Sequence, residues 1–431
     1  GARLRVAHWR GGRGVTVASE AVPFADLEAR SPEAFARFAA RGIPSSHDEE
    51  WRFTPVRHLA TTRFHAPRLS PRLTEADIAP FVHDATAARV VIVDGRVDRA
   101  LSRVSHDGGV RVAPLPDGDD AISCAGDSTT QDATPFAALN AALWTGGASI
   151  HLGEAARPAT AIEVLHVATA ASAGAVITPR TVIYAASAAP TCLIESFVAL
   201  SDAAYFTNAV CEFVLDDGAQ LEHVRIQRES AAATHIGLTT LHQARRSHYR
   251  SFTLALGGRL SSHDLRARHA GEGVETLLYG LYLGRGDQLL DNHTAIFHDQ
   301  PNCNSWEVYK GVLGERSRGV FNGKVIVQPA AQKTDAKQTN RNLLLSDEAK
   351  VHTKPQLEIF ADDVKCTHGA TVGKLNEQQR FYLQSRGIGG RTAELMLINA
   401  FAAEVVAEVT RPALRESLEA LVRAELDGLI A

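Results

Sequence analysis

Leu277-Leu278-Tyr279-Gly280-Leu281-Tyr282-Leu283, closed by Gly284-Arg285-Gly286-Asp287, reads as one short β-strand and the turn that ends it. Leu277, Tyr279, Leu281 and Leu283 keep a period of two, and the Gly and Asp residues behind them are turn formers. Runs of the same kind recur on both sides: Ile162, Val164 and Leu165; Thr181 to Tyr184; Leu193 to Leu200; Phe213 to Leu215; Phe252, Leu254 and Leu256; Val325 to Val327. From about 161 to 373 no long helical period interrupts them. So many strands with so little helix between them mean a mainly β body, and a sandwich, a barrel and a solenoid all suit it. The phase of alternation slips where Leu221 gives way to Val224 and Ile226, as expected where a coil turns a corner. No clean repeat period is visible in the residues, so pattern alone leaves the three architectures open.

Outward from this core the texture changes. Residues 1–85 read as a helical segment, in which Ser31, Pro32 and Glu33 open a helix, Phe35 and Phe38 mark its apolar face, and Gly42 with Pro44 stop it. Residues 86–160 form a mixed connecting segment. There Val90 to Val93 run into Asp94 and Gly95 as a strand entering a hairpin, and Thr134 with Pro135 starts a helix through Phe136, Leu139 and Leu143. Residues 374–431 are helical: Asn376 to Arg386, a break at Gly389 and Gly390, then a stripe of Leu395, Ile398, Phe401, Ala402, Val405 and Val409. Thr410 caps a last helix, with Pro412 in its first turn and Leu414, Leu418, Leu421, Val422 and Leu426 along one face. Such stripes at a chain end either fold back on the body or bind another subunit.

Composition narrows the partners. At 431 residues, 45% hydrophobic and 22% charged, the chain has ample material for a large core. A formal net charge of −4 supplies no basic field for nucleic acid. The five cysteines, Cys124, Cys192, Cys211, Cys303 and Cys366, include no C-x-x-C pair and do not read as a disulfide framework. Gly1 to Gly14 lack the apolar core of a signal peptide and no stretch is long and apolar enough to span a bilayer, so the expected location is the cytoplasm.

The motifs of common enzymes are missing. Gly369-Ala370-Thr371-Val372-Gly373-Lys374-Leu375 is one residue short of a Walker A loop and lacks its Ser or Thr. No nucleophile elbow, zinc helix or dinucleotide fingerprint is present. The most chemically loaded stretch is Asp362-Asp363-Val364-Lys365-Cys366-Thr367-His368, which follows the alternating pair Leu357 and Ile359. Read as a continued strand, it puts Asp362, Val364, Cys366 and His368 on one face. Thiolate and imidazole suit iron, yet two soft ligands leave a four-ligand site incomplete, so a partner chain would have to supply the rest. The plainer reading makes Cys366 a small buried hydrophobe and His368 a hydrogen-bonded core histidine. Cys192, Cys211 and Cys303 sit in apolar, strand-like surroundings and read as core packing, and His263, His269, His293 and His298 have no ligand spacing.

The run from Asp362 to Gly373, followed by Phe381-Tyr382-Leu383-Gln384-Ser385-Arg386-Gly387-Ile388, closely resembles the C-terminal signature of the SufB/SufD family of SUF iron–sulfur cluster assembly proteins. Ala331 to Ala336 with Asn340 and Asn342 to Ser346, Phe136 to Ala142, and Glu50 to Thr54 resemble further marks of the family, so the likeness covers nearly the whole chain. Gly369 after His368, and the Glu50-Trp51-Arg52 mark, side with the SufD branch rather than SufB. The resemblance implies a right-handed parallel β-helix with an N-terminal helical part and C-terminal helices. It also implies a non-catalytic scaffold subunit that pairs with SufB and docks the ATPase SufC. His368 matches the family histidine implicated near the SufB interface and Cys366 its neighbouring cysteine, which would meet a transient iron–sulfur cluster or iron there. Ser385, Arg386, Gly387 and Ile388 would lie by the SufC-docking surface. Flavin association accompanies complexes of this family, but no residue here identifies a flavin site. A homodimer of the chain alone is expected through the same strand edge that would pair with SufB. Two other classes stand beside this reading: a purely structural β-helix subunit without metal contact, and a β-helix carbohydrate-active enzyme.

Overall fold

The computed structural model describes residues 22–83, 86–104, 106–107, 109–115, 134–156, 161–186 and 188–429. Cys124 and the stretch from Gly1 to Gly14 lie outside them. Among the described residues the strands assemble into two sheets, of ten and eleven strands. Glu275–Gly284 lies parallel between His248–Ala255 and Asn304–Leu313 in one sheet; the next strand, Leu289–His298, lies parallel between Leu260–His269 and Arg318–Val327 in the other. The chain therefore passes from sheet to sheet at every corner and winds a β-solenoid of about eight turns. Thr86–Val93 and Gly146–Leu152 already pair in parallel with Ala161–Ala168 and Pro179–Ala185, so the sheets begin ahead of residue 161.

The repeat that the residues conceal is one of backbone conformation. Gln220, His248, Glu275, Asn304, Asp335 and Lys365 are successive register partners, and the differences between their numbers give coils of 28, 27, 29, 31 and 30 residues. Two residues before each of the first five strand starts, the corner holds a left-handed residue: Gly218 (φ 71°), Arg246 (55°), Gly273 (70°), Asn302 (59°) and Lys333 (64°). Each of these donates its backbone N–H to a carbonyl in the next coil, from Gly218 to Arg245 at 2.9 Å up to Lys333 to Asp363 at 2.7 Å. That interlock offsets the cost of left-handed backbone at Arg246, Asn302 and Lys333.

The flanking segments rest on this body. The hairpin expected at Asp94 and Gly95 is present: Val93 pairs with Arg96, and φ of 48° and 79° at the two turn residues is the pattern of a two-residue turn that matches strand twist. Ser31 Oγ accepts from the Ala34 N–H to cap Pro32–Arg41, and Thr134 Oγ1 accepts from Ala137 to cap Pro135–Leu143. Phe38, Phe136 and Phe206 join these helices to one sheet. Residues 49–54 then clasp three successive strands of that sheet. Thr54 donates to Asp291 at 2.8 Å, Glu50 pairs with Lys324 at 3.3 Å, Glu49 pairs with Lys354, and Phe53 stacks on His352 at 4.1 Å.

At the other end of the chain, Gly390–Val406 and Pro412–Leu429 fold back on the outer face of the other sheet. Ile398, Ala402, Val405, Leu414, Leu418, Val422 and Leu426 pack with Phe252, Leu254 and Leu281 in one cluster. The buried amine of Lys310 donates to the Phe401 carbonyl at 2.9 Å and pairs with Glu404; Arg250 pairs with Glu408 at 3.0 Å and Arg285 with Glu425 at 3.2 Å. Thr410, expected as a helix cap, instead gives its hydroxyl and its N–H to the Glu222 carboxylate, so this threonine ties the helices to the sheet. No helix among the described residues is long and apolar enough to cross a membrane.

Candidate functional site at the open end of the solenoid

Both sheets end on the last coil, at Lys350–Ile359 and at Lys365–Gly373. Among the described residues no further coil covers these strands, so each presents an outer row of backbone N–H and C=O groups, and the inward side chains of the coil are uncovered as well. Ile359, Phe360 and Val372 are exposed apolar groups on this rim.

The Cys366 and His368 segment lies here, with one correction to the strand drawn from sequence. The chain does not continue as strand from Leu357 through His368 but turns a corner at 360–364 and restarts at Lys365. Asp362 therefore sits in the corner and does not share the strand face of Cys366 and His368. Asp363 is held there by Lys333 and by the Gln332 side chain, which accepts from its N–H at 2.9 Å.

Cys366 and His368 do share a face, two residues apart in one strand. Their surroundings differ. Cys366 stacks on Ala336 and packs half-buried among Val325, Val327, Ala331 and Ala361, and that burial raises its thiol pKa. His368 stacks on Gln338 and is exposed. Gln338 is buried and donates its Nε2 to Glu307 Oε2 at 2.7 Å, which also accepts from Thr294 at 3.2 Å. Burial pushes the Glu307 carboxyl up to about 7. His368 thus tops a polar column in the lumen while Cys366 tops an apolar plug. Among the described residues no three His, Cys, Asp or Glu side chains are grouped to hold a metal ion.

Cys192, Cys211 and Cys303 are buried in the body, and burial raises all three thiols, Cys192 to about 12. His269 and His298 face each other in the lumen with Nδ1 atoms 3.2 Å apart, and burial lowers the pKa of both, His298 to about 4. Gly369 to Gly373 form strand, not a phosphate-cradling loop. Ser385, Arg386, Gly387 and Ile388 close the Glu377–Ser385 helix: Gly387 takes φ of 87°, its N–H donates to Gln384 and that of Ile388 to Leu383. No side chain of that helix is buried; Phe381 and Tyr382 are 71% and 57% exposed, and Met396 on the next helix is exposed too. Sequence reading passed over Gln338 and Glu307, whose only signal is a polar residue at an inward position of alternation in two successive coils.

Comparison with known proteins bears on the same stretch. Residues 166–401 match the SUF system FeS cluster assembly, SufBD core domain. The chain is 32% identical to the iron-sulfur cluster assembly protein SufD of Escherichia coli over 412 residues, 93% of this chain and 94% of that protein. The chain belongs to the SufB/SufD family. Within the family it is SufD-like. It is also 31% identical to the iron-sulfur cluster assembly SufBD family protein slr0076 of Synechocystis, over 88% of this chain and 87% of that one. Protein ABCI7, chloroplastic, of Arabidopsis thaliana is 38% identical over 52% of this chain and 48% of its own length. Membership of a SUF cluster assembly family leaves the carbohydrate-active alternative without support.

Proposed function

We propose that this SufB/SufD family chain is a non-catalytic scaffold half of a SUF assembly complex, with the open end of its solenoid facing SufB. The observation that carries this reading is the last coil: two uncovered strand edges frame the face on which Cys366 and His368 stand. Unpaired edges favour strand addition, and the matching end of a related solenoid has the same geometry to offer. His368, exposed and on the uncovered face, offers an imidazole to iron or to the nascent cluster, which is the cargo of the complex. Cys366 is the weaker donor, since its thiol is half-buried against an apolar plug and its pKa is raised. An incomplete ligand set suits a site that must pass its product on.

The exposed Phe381, Tyr382 and Met396 beside the Ser385 to Ile388 turn form the surface for the ATPase SufC. Dimerisation of SufC would move the two scaffold subunits against each other and open or close the site between them. In the absence of SufB the same edge supports a homodimer. The test is His368→Ala in the complex co-purified with SufB and SufC. Cluster formation falls while assembly is intact; a variant that assembles and makes cluster at the wild-type rate removes the metal role and leaves a purely structural subunit. If the complex comes apart, His368→Gln replaces it.

A further inference from the structure

Gln338 has one end committed and one end free. Its amide Nε2 donates to Glu307 Oε2 at 2.7 Å, whereas its Oε1 is buried without a hydrogen-bond partner among the described residues. Gln338 is 1% exposed, and a buried amide carbonyl left unpaired is costly. The opposite sheet makes room for the side chain: a Cβ at Gly323 would come within 2.1 Å of Gln338 Nε2, so only glycine lets the amide cross the lumen. The passage is therefore built around this side chain. In the next coil, the register neighbour of Gln338 is His368. Adjacent strands stand about 4.8 Å apart, which sets the two residues side by side on the inward face. The alternative donor from the same strand as Gln338, Asn340, has its amide engaged by the Tyr309 carbonyl and the Tyr282 hydroxyl.

We propose that Gln338 is a positioning residue for His368: with its Nε2 held by Glu307, its free Oε1 is the acceptor that a turn of the exposed His368 ring brings within reach of an imidazole N–H, which leaves the other ring nitrogen to face outward. A neutral imidazole carries one N–H and one lone pair, and the partner of the N–H decides which nitrogen can meet a metal. The inference deepens the reading of His368 as a contact for the cluster and rests on it for its functional meaning, but its first test needs no metal.

The experiment is two-bond 1H–15N spectroscopy of the full chain labelled with 15N-histidine, at about pH 8.5, above the reference value near 6.5 for a histidine side chain. Loss of signals in His368→Gln identifies the resonances. The wild type shows a single His368 tautomer; Gln338→Leu shows the averaged shifts of two. Thr353→Val removes the buried hydroxyl of the last coil that has no partner among the described residues, and leaves the tautomer unchanged. Averaged shifts in the wild type, or a single tautomer that survives Gln338→Leu, overturn the proposal, as does a tautomer that follows Thr353 instead. Should Gln338→Leu fail to fold, Gln338→Met is the variant without an acceptor. In the complex, Gln338→Leu slows cluster formation about tenfold. If His368→Ala has no effect on cluster formation while the tautomer still depends on Gln338, the metal role of His368 falls and the positioning contact stands.

Discussion

His293 Nε2 stands 2.9 Å from Asp291 Oδ1, and its Nδ1 lies 3.5 Å from Glu50 Oε2, so one imidazole joins the solenoid to the clasp at 49–54. The neighbouring carboxylates outweigh burial and raise His293 to about 10, while His293, with help from Lys324, holds Glu50 down to about 2. A raised histidine contributes its full stability below the ordinary value near 6.5 and loses it as pH climbs through 10. A depressed carboxyl contributes above about 4.5 and loses as pH falls toward 2. The clasp is therefore tightest between about pH 4.5 and 6.5 and loosens on the alkaline side. Amide exchange of residues 48–54 should be faster at pH 9.5 than at pH 6 beyond the intrinsic rate change. His293→Gln should abolish that difference; equal protection at both values in the wild type would contradict it.

Lys310 carries a buried amine into the Gly390–Val406 helix, where the Phe401 carbonyl and the Glu404 carboxylate receive it. Lys310→Ala removes the donor and its packing and should cost about 1–3 kcal/mol in denaturant unfolding, with early exposure of the terminal helices. Glu404→Gln, at a site 60% exposed, should cost less than about 1 kcal/mol. Negligible effects from both would mean that the helix is held by its apolar face alone.

The apolar cluster beneath the last two helices bears on how the proposed SufC docking can be tested. Deleting residues 390 to 431 would uncover Phe252, Leu254 and Leu281 on the sheet and make the body aggregate. Point variants are cleaner. Phe381→Ala with Met396→Ala should leave the melting temperature within about a degree of wild type, since both side chains project into solvent, and weaken SufC capture about tenfold. Undiminished capture by the double variant would place the docking surface elsewhere.

Glu307 has its carboxyl raised to about 7 by burial, so the folded state binds a proton that the unfolded chain releases near 4.5. Stability from this group is full below 4.5 and declines as pH rises through 7. Glu307→Gln should remove that decline and stabilise the protein at pH 8 by on the order of 1–3 kcal/mol. A variant less stable than wild type at pH 8 would show that the ionised carboxylate is well solvated by Gln338 and Thr294.

Gly323→Ala would drive a methyl into the Gln338 amide and the Phe321 ring, at 2.1 and 2.8 Å from an ideal Cβ. The expected loss is about 1–3 kcal/mol. Gly369→Ala, where nothing lies within 4 Å, should be close to neutral in the same unfolding measurement.

Much of the architecture was legible locally. The strand runs, the Asp94 and Gly95 hairpin, the Ser31 and Thr134 caps and the striped C-terminal helices depend on periodicity and turn chemistry, which act over a few residues. The signature around Cys366 and His368 also identified the family, and hence the solenoid. The coil repeat was hidden because its invariant is a left-handed corner backbone closed by a hydrogen bond to the next coil, and glycine, arginine, asparagine and lysine all fill that position. Strand alternation could not see the corner at 360–364, which separates Asp362 from the face of Cys366 and His368. Thr410 looked like a cap because Glu222, which holds it, is 188 residues away in the chain. The difference in character between Cys366 and His368 was likewise invisible. Only stacking sets Ala336 under one and Gln338 under the other, since the neighbour that decides each environment lies a full coil away in sequence and one strand spacing away in space.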